Sequence, residues 1–235
     1  MRITPGIVYR ESTNNIALAE QRLAAAQQEV SSGLRISVPS DDPVGAASIV
    51  QQQSTIAGLD AYTSASDSAN SRLTVTDSVL SDLINQITSA QTTVAGAQGS
   101  NVTQAQVDAA VQQLNAIRDA VLSDMNTQVN GTYLFGGTDA LTAPYTQAAG
   151  GGVSAYQGNA ATASVNVDPN RSVPISFSGG QILQGTDAAD LFSTLASLAT
   201  AITTRDSTGM SQGLDALNRA FGRASASAAL GAGRG

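Results

Sequence analysis

From Tyr9 onward an apolar residue returns at every seventh position, as Tyr9, Ile16, Leu23 and Val30, and three places behind each stands a small one, Ser12, Ala19, Ala26 and Gly33. That period is the heptad of helices packed along a narrow seam. A helix with so thin a seam is marginal alone in water, so the spacing predicts a partner helix. The same period governs a longer stretch, in which Leu59, Ser66, Leu73, Leu80, Ile87 and Val94 are again seven apart, accompanied by Tyr62, Ala69, Thr76, Leu83 and Ala90. Gly96 and Gly99-Ser100-Asn101 are expected to break this second helix. A third starts near Thr103, with Val107, Val111, Leu114, Ile117, Val121 and Met125 on one face. The second and third helices read as an antiparallel hairpin whose core is Leu59, Leu73, Leu80, Ile87, Leu114, Ile117 and Val121.

After Asn130-Gly131 the period falls to two. Ala163, Val165 and Val167 alternate with polar residues, Asp168-Pro169-Asn170 turns, and Val173, Ile175 and Phe177 alternate again, with Pro174 marking an edge or bulged strand. Helical spacing returns at Asp190, with Leu191, Leu195, Leu198 and Ile202, and at about Ser211, with Leu214, Leu217 and Phe221. The stretch from Ala224 to Gly235 is read as Ala, Ser and Gly without a seam. The expected fold class is therefore mainly α with a small β insert, a long helical hairpin plus an outer β-rich domain. Its expected divisions are an assembly helix and turn over 1–40, the hairpin over 41–131, the β-rich domain over 132–186 and returning helices over 187–235.

Composition narrows the chemistry. The chain has no Cys, no His and no Lys, so all 11 basic residues are Arg. This excludes a thiolate nucleophile, a Ser-His relay, the usual zinc ligands, a phosphate-loop lysine and a Schiff base. An enzyme would have to run on carboxylates, Tyr, Arg or hydroxyls, and no cofactor or metal is expected. With 18 acidic residues, a net charge of −7 and no Arg cluster, nucleic acid is not an expected partner. No run approaches the roughly 18 apolar residues of a membrane span, and the start has no hydrophobic stretch like that of a secretory signal. The chain is accordingly read as soluble and unassociated with membrane.

Between the first two helices lies Gly33-Leu34-Arg35-Ile36, followed by Pro39-Ser40-Asp41-Asp42-Pro43-Val44-Gly45-Ala46-Ala47. Adjacent carboxylates before a proline are turn and cap residues in preference to a metal or acid–base pair, with Asp42 as N-cap and Pro43 as the first helical residue. Arg35 is equally readable as an intersubunit contact or as a solvated residue near a helix end. This segment resembles the N-terminal signature of the flagellin superfamily, and its Pro-Ser-Asp-Asp-Pro form is similar to that of the hook-filament junction branch, where flagellins usually carry Lys-Asp-Asp-Ala-Ala-Gly. Gly131-Thr132-Tyr133-Leu134-Phe135-Gly136-Gly137 resembles the branch's Gly-x-Tyr-Leu-Phe-Gly-Gly, which leads from the third helix into the β domain. Tyr133 and Phe135 are then the anchors of a helix-to-sheet junction, with Gly136 and Gly137 behind them.

The resemblance implies an extracellular structural protein of the bacterial flagellum, self-assembling and without catalysis. It implies export through the flagellar type III apparatus, helped by a chaperone, on an uncleaved signal. Hook-associated protein 1 and flagellin are the implied neighbours, alongside further copies of the chain. In this family the N-terminal heptads pair with a C-terminal helix, and the end at Leu230-Gly231-Ala232-Gly233-Arg234 departs from that pattern and reads as truncated. The alternatives are a flagellin-type filament subunit and, from another class, a surface adhesin or glycan-binding module carried by the β-rich segment. Gly150-Gly151-Gly152 reads as a flexible turn, and the Asn-x-Ser/Thr triplets at Asn101, Asn130 and Asn170 as chance matches to a glycosylation pattern.

Overall fold

A computed structural model of the 235-residue chain describes residues 5–99, 101–148 and 151–232. It is mainly helical with a small β insert. Two compact units divide after Ala61. The first holds helix α1 (Pro5–Ser32), a turn, and the start of α2 (Pro43–Ala97). The second, from Tyr62, holds the rest of α2, α3 (Gln104–Met125), strands β1 (Gln128–Val129), β2 (Thr132–Tyr133), β3 (Ser164–Asp168) and β4 (Arg171–Pro174), then α4 (Gly179–Leu183), α5 (Leu191–Thr204) and α6 (Ser207–Ala232).

In the second unit the α2 heptads lie on a buried face from Ala69 to Val94, with Leu73, Leu80 and Ile87 all at 3% exposure or less. Leu114, Ile117 and Val121 of α3 are in the same core, which also takes in Leu195, Leu198 and Ile202 of α5. Helix α3 starts from a capping box: Thr103 Oγ1 accepts from the Gln106 amide, and Gln106 Oε1 accepts from the Thr103 amide. Helix α5 packs against both α3 and α6.

Three expectations from the sequence need correction. Leu59 is not a hairpin core residue: it is 57% exposed and belongs to the first unit. The buried face of α2 runs only from Ala69 to Val94, and Leu59 stands ten residues before it. Gly96 does not break α2, which continues through Ala97. The stretch from Ala224 is not without a seam. Through Ala232 it is helix α6, with Ala220 and Ala224 buried and Ala228 packed on the core. Alanine is the strongest helix former, and a seam of small residues lets two helices approach closely. Gln91 Nε2 donates to Asn218 Oδ1 at 2.9 Å, while a Cβ on Gly231 would collide with the Asp77 carboxylate. These two contacts place α6 antiparallel to the C-terminal half of α2. Ser100, Gly150, Gly233 and Arg234, on which sequence expectations also fell, lie outside the described residues.

The β insert contains two hairpins. The expected one pairs β3 with β4, Val165 opposite Val173, around residues 169–170, with an irregularity between Asn166 and Asp168, and β4, which carries Pro174, is an edge strand of this two-stranded sheet. A second, β1 with β2, turns at Asn130 and Gly131 with φ of 52° and 75°, the left-handed pair that a tight two-residue hairpin requires. Beneath them Tyr145 is fully buried against Phe192, with centroids 5.0 Å apart and rings at 65°.

Candidate functional site

In the first unit the α1 seam faces solvent along its whole length. Tyr9 is 76% exposed, Ile16 61%, Leu23 60% and Val30 85%. Neighbouring apolar residues add to this surface: Ile7, Val8, Leu18 and Leu34 each expose half or more of their area. Large apolar side chains are normally scattered singly on a soluble surface, so a heptad-spaced row of them marks an interaction face.

The turn that ends this helix is built by its carboxylates. Gly33, at φ 68°, donates its amide to the Glu29 carbonyl and stops α1. Asp41 Oδ2 accepts from the Ser37 and Val38 amides and from the Ser37 hydroxyl, which folds residues 37–41 into a closed loop. These bonds hold its carboxyl below the ordinary aspartate value, the Val38 amide contributing most. Asp42 Oδ1 caps α2 by accepting from the Gly45 amide at 2.9 Å, and its other oxygen takes the Arg35 guanidinium at 3.0 Å. The Gly45 amide first, and Arg35 second, hold Asp42 low as well. With Arg35 71% exposed the ion pair is a surface one of small worth, and the cap is the structural element. Pro43 opens α2, and Ser40 and Pro39 lie on the exposed side of the loop. Ile36 is half-buried, with its Cδ1 where a Cβ on Gly45 would stand. Ala24, Gln28, Leu34 and Arg35 line a groove of about 700 Å³ between α1 and this loop.

A prediction follows from Gly45. Gly45→Val has to displace both Ile36 and the Asp42 cap, so trypsin is expected to cut after Arg35 at least several-fold faster, with unchanged melting of the second unit. Equal cleavage rates would show that Gly45 is not needed for the turn.

In the second unit, Phe135 is fully buried, and its carbonyl accepts from the Gly179 amide and from the Tyr156 hydroxyl at 2.8 Å. Tyr133 is half-buried, and its carbonyl accepts from Arg72 Nη2. Gly136 and Gly137 are buried where a Cβ would strike the Asp139 and Asn159 carbonyls respectively. Among the described residues there is no group of three or more acidic, Cys or His side chains that could hold a metal, and no helix is long and apolar enough to cross a membrane.

Residues 6–140 match the family defined by the bacterial flagellin N-terminal helical region. The chain belongs to this family. Its curated relatives include flagellar hook-associated protein 3 of Salmonella typhimurium, 29% identical over 183 residues, which is 77% of this chain and 56% of the relative. The protein of the same name from Escherichia coli is 28% identical over the same shares. This flagellin-family chain thus spans little more than half the length of the curated relatives it matches. Solved structures share the fold: FlgL of Xanthomonas campestris superposes with a TM-score of 0.66 at 15% identity, covering 77% of this chain and 92% of that one. FlgL of Bacillus cereus gives 0.65 at 18%, covering 80% and 89%.

Sequence reasoning missed Arg72. Its Nε donates to the Ile175 carbonyl at 2.7 Å, Nη1 to the Thr132 hydroxyl at 2.7 Å and Nη2 to the Tyr133 carbonyl at 2.8 Å. One guanidinium thereby ties α2 to both β hairpins, through neutral acceptors only, and burial lowers its pKa. The sequence offered only a negative sign: Arg72 has no acidic residue three or four places away to pair with on its helix.

Proposed function

We propose that this chain is a structural, non-catalytic subunit of the bacterial flagellum that works where hook meets filament. Its neighbours there are further copies of itself, hook-associated protein 1 on one side and flagellin on the other. Export runs through the flagellar type III apparatus, assisted by a chaperone, without a cleaved signal. The observation that carries this reading is the solvent-facing heptad row of Tyr9, Ile16, Leu23 and Val30 in a chain whose curated relatives are hook-associated proteins. Such a row is a helix face in need of a partner helix, as a self-assembling tube supplies. The Asp41 and Asp42 turn sets how the chain leaves that helix, and Arg35, bonded on one side only, keeps donors available to a neighbour.

Leu23→Asp tests the assembly face. Because Leu23 is already exposed, the variant is expected to melt like the parent, yet to lose incorporation into flagella by more than tenfold in cells lacking the native protein. Normal incorporation would remove the seam from the interface. Immunogold labelling with antibody to residues 132–186 decides location: gold confined to the hook-filament point supports the junction role, whereas label along the filament makes the chain a flagellin-type subunit.

A further inference from the structure

One group in the helical core is placed against its own charge. Asp124 lies in the last turn of α3, which carries no basic residue there, at the end of a helix where the backbone dipole disfavours a carboxylate. Its Oδ2 is buried without a hydrogen-bond partner. We propose that Asp124, set against Asp82 of α2, is a proton switch that makes the α2–α3 core more stable in mildly acid than in neutral medium.

Among the described residues, no cation compensates Asp124. From α2 the acting charge is Asp82, of like sign, while Arg72 on that helix is committed to Ile175, Thr132 and Tyr133. On α3 itself Arg118 is bonded to Asp119 and Asn115. Helix α5, which also packs on α3, has no charged residue. Its N-cap Asp190 bonds Ser193, and Arg205 at its C-cap reaches the Val102 carbonyl, at the far end of α3. Asn126, two residues on, is spent on the Tyr145 backbone through both its Oδ1 and its Nδ2. Burial first, and the Asp82 charge second, push the Asp124 pKa up to about 6.

The sign follows from linkage. A folded value raised above the ordinary 3.8 means that the contribution is fully present below 3.8 and is lost as pH rises through about 6. The groups held low, Asp41, Asp42 and Asp187, act in a separate window: their contributions fade only below the ordinary aspartate range. The chain has no histidine, the side chain that ordinarily senses this interval, so the carboxylate stands in for it.

The test is equilibrium urea unfolding of the full chain, followed by circular dichroism. Going from about pH 7.5 to about pH 5, the unfolding constant of the native sequence should fall roughly three- to tenfold, the lower figure allowing for partial exposure. Asp124→Asn should abolish that dependence, and Asp82→Asn should reduce it without removing it, since burial is the larger cause. Constant or falling stability on acidification, or an undiminished slope in Asp124→Asn, overturns the proposal. Should the variant not fold, the native chain decides: the Asp124 carboxyl carbon must titrate by NMR near 6, and a midpoint near 3.8 refutes the switch.

Discussion

Leu80→Asp is expected to unfold the helical core outright. Leu80 has no exposed surface, is flanked on its face by Leu73, Leu83 and Ile87, and belongs to the same core as Leu114, Ile117 and Val121 of α3. Truncating such a residue to alanine costs about 2–5 kcal/mol through lost transfer energy and the cavity left behind. A carboxylate adds the penalty of a polar group buried without a donor, so the total should exceed about 5 kcal/mol, comparable with the whole stability of many domains. Thermal melting by circular dichroism measures it: no cooperative transition is expected for Leu80→Asp, and a clearly lowered one for Leu80→Ala. A melting curve for the aspartate variant within a few degrees of the native one would mean that the seam of α2 is not the core.

The second large effect is expected at Arg72. Arg72→Met keeps the length and apolar stem of the side chain but removes every donor, leaving the Ile175 and Tyr133 carbonyls and the Thr132 hydroxyl without their arginine partner. Each half-buried acceptor left unsatisfied costs on the order of 1 kcal/mol, so a loss of about 2–4 kcal/mol is expected, concentrated in the β insert. Arg72→Lys should recover little, because a point-like ammonium cannot span three acceptors in a planar fork. Hydrogen exchange reads this locally. The amides of Ile175 and Tyr133, which donate to Ala163 and Ala140, should lose protection, while those in the middle of α3 keep theirs. Uniform protection across both regions would show that the hairpins are held to α2 by packing alone.

These two sites differ in how legible they were. Leu80 announces itself through its heptad neighbours, since a period of seven within one helix is a local property that needs no knowledge of the partner. The alternation of Val165 and Val167 with Val173 and Ile175 is of the same kind, as is the Asp42 cap before Pro43. The β1–β2 turn was also within reach, because Asn130-Gly131 between two short β-prone pairs is a strong hairpin signal. Arg72 offered only a negative hint, and Asp124 none, because its strain arises from Asp82 on another helix and from burial.

The amino-acid sequence by itself determined where helices and strands form, which of their faces are apolar, and where glycine, proline and aspartate stop and start them. Those choices rest on torsional preferences, capping bonds and side-chain period, all settled within a few residues of chain. The tertiary structure alone decided which apolar faces become core. Leu59 and Leu80 carry the same heptad signal, yet Leu59 is exposed and Leu80 is not, because the core closes over α2 only from Ala69 to Val94. It also decided that the small residues of α6 form a seam, and that Arg72 meets acceptors 60 to 103 positions away. Burial and long-range hydrogen bonds depend on what stands opposite a residue, and that is a property of the assembled chain.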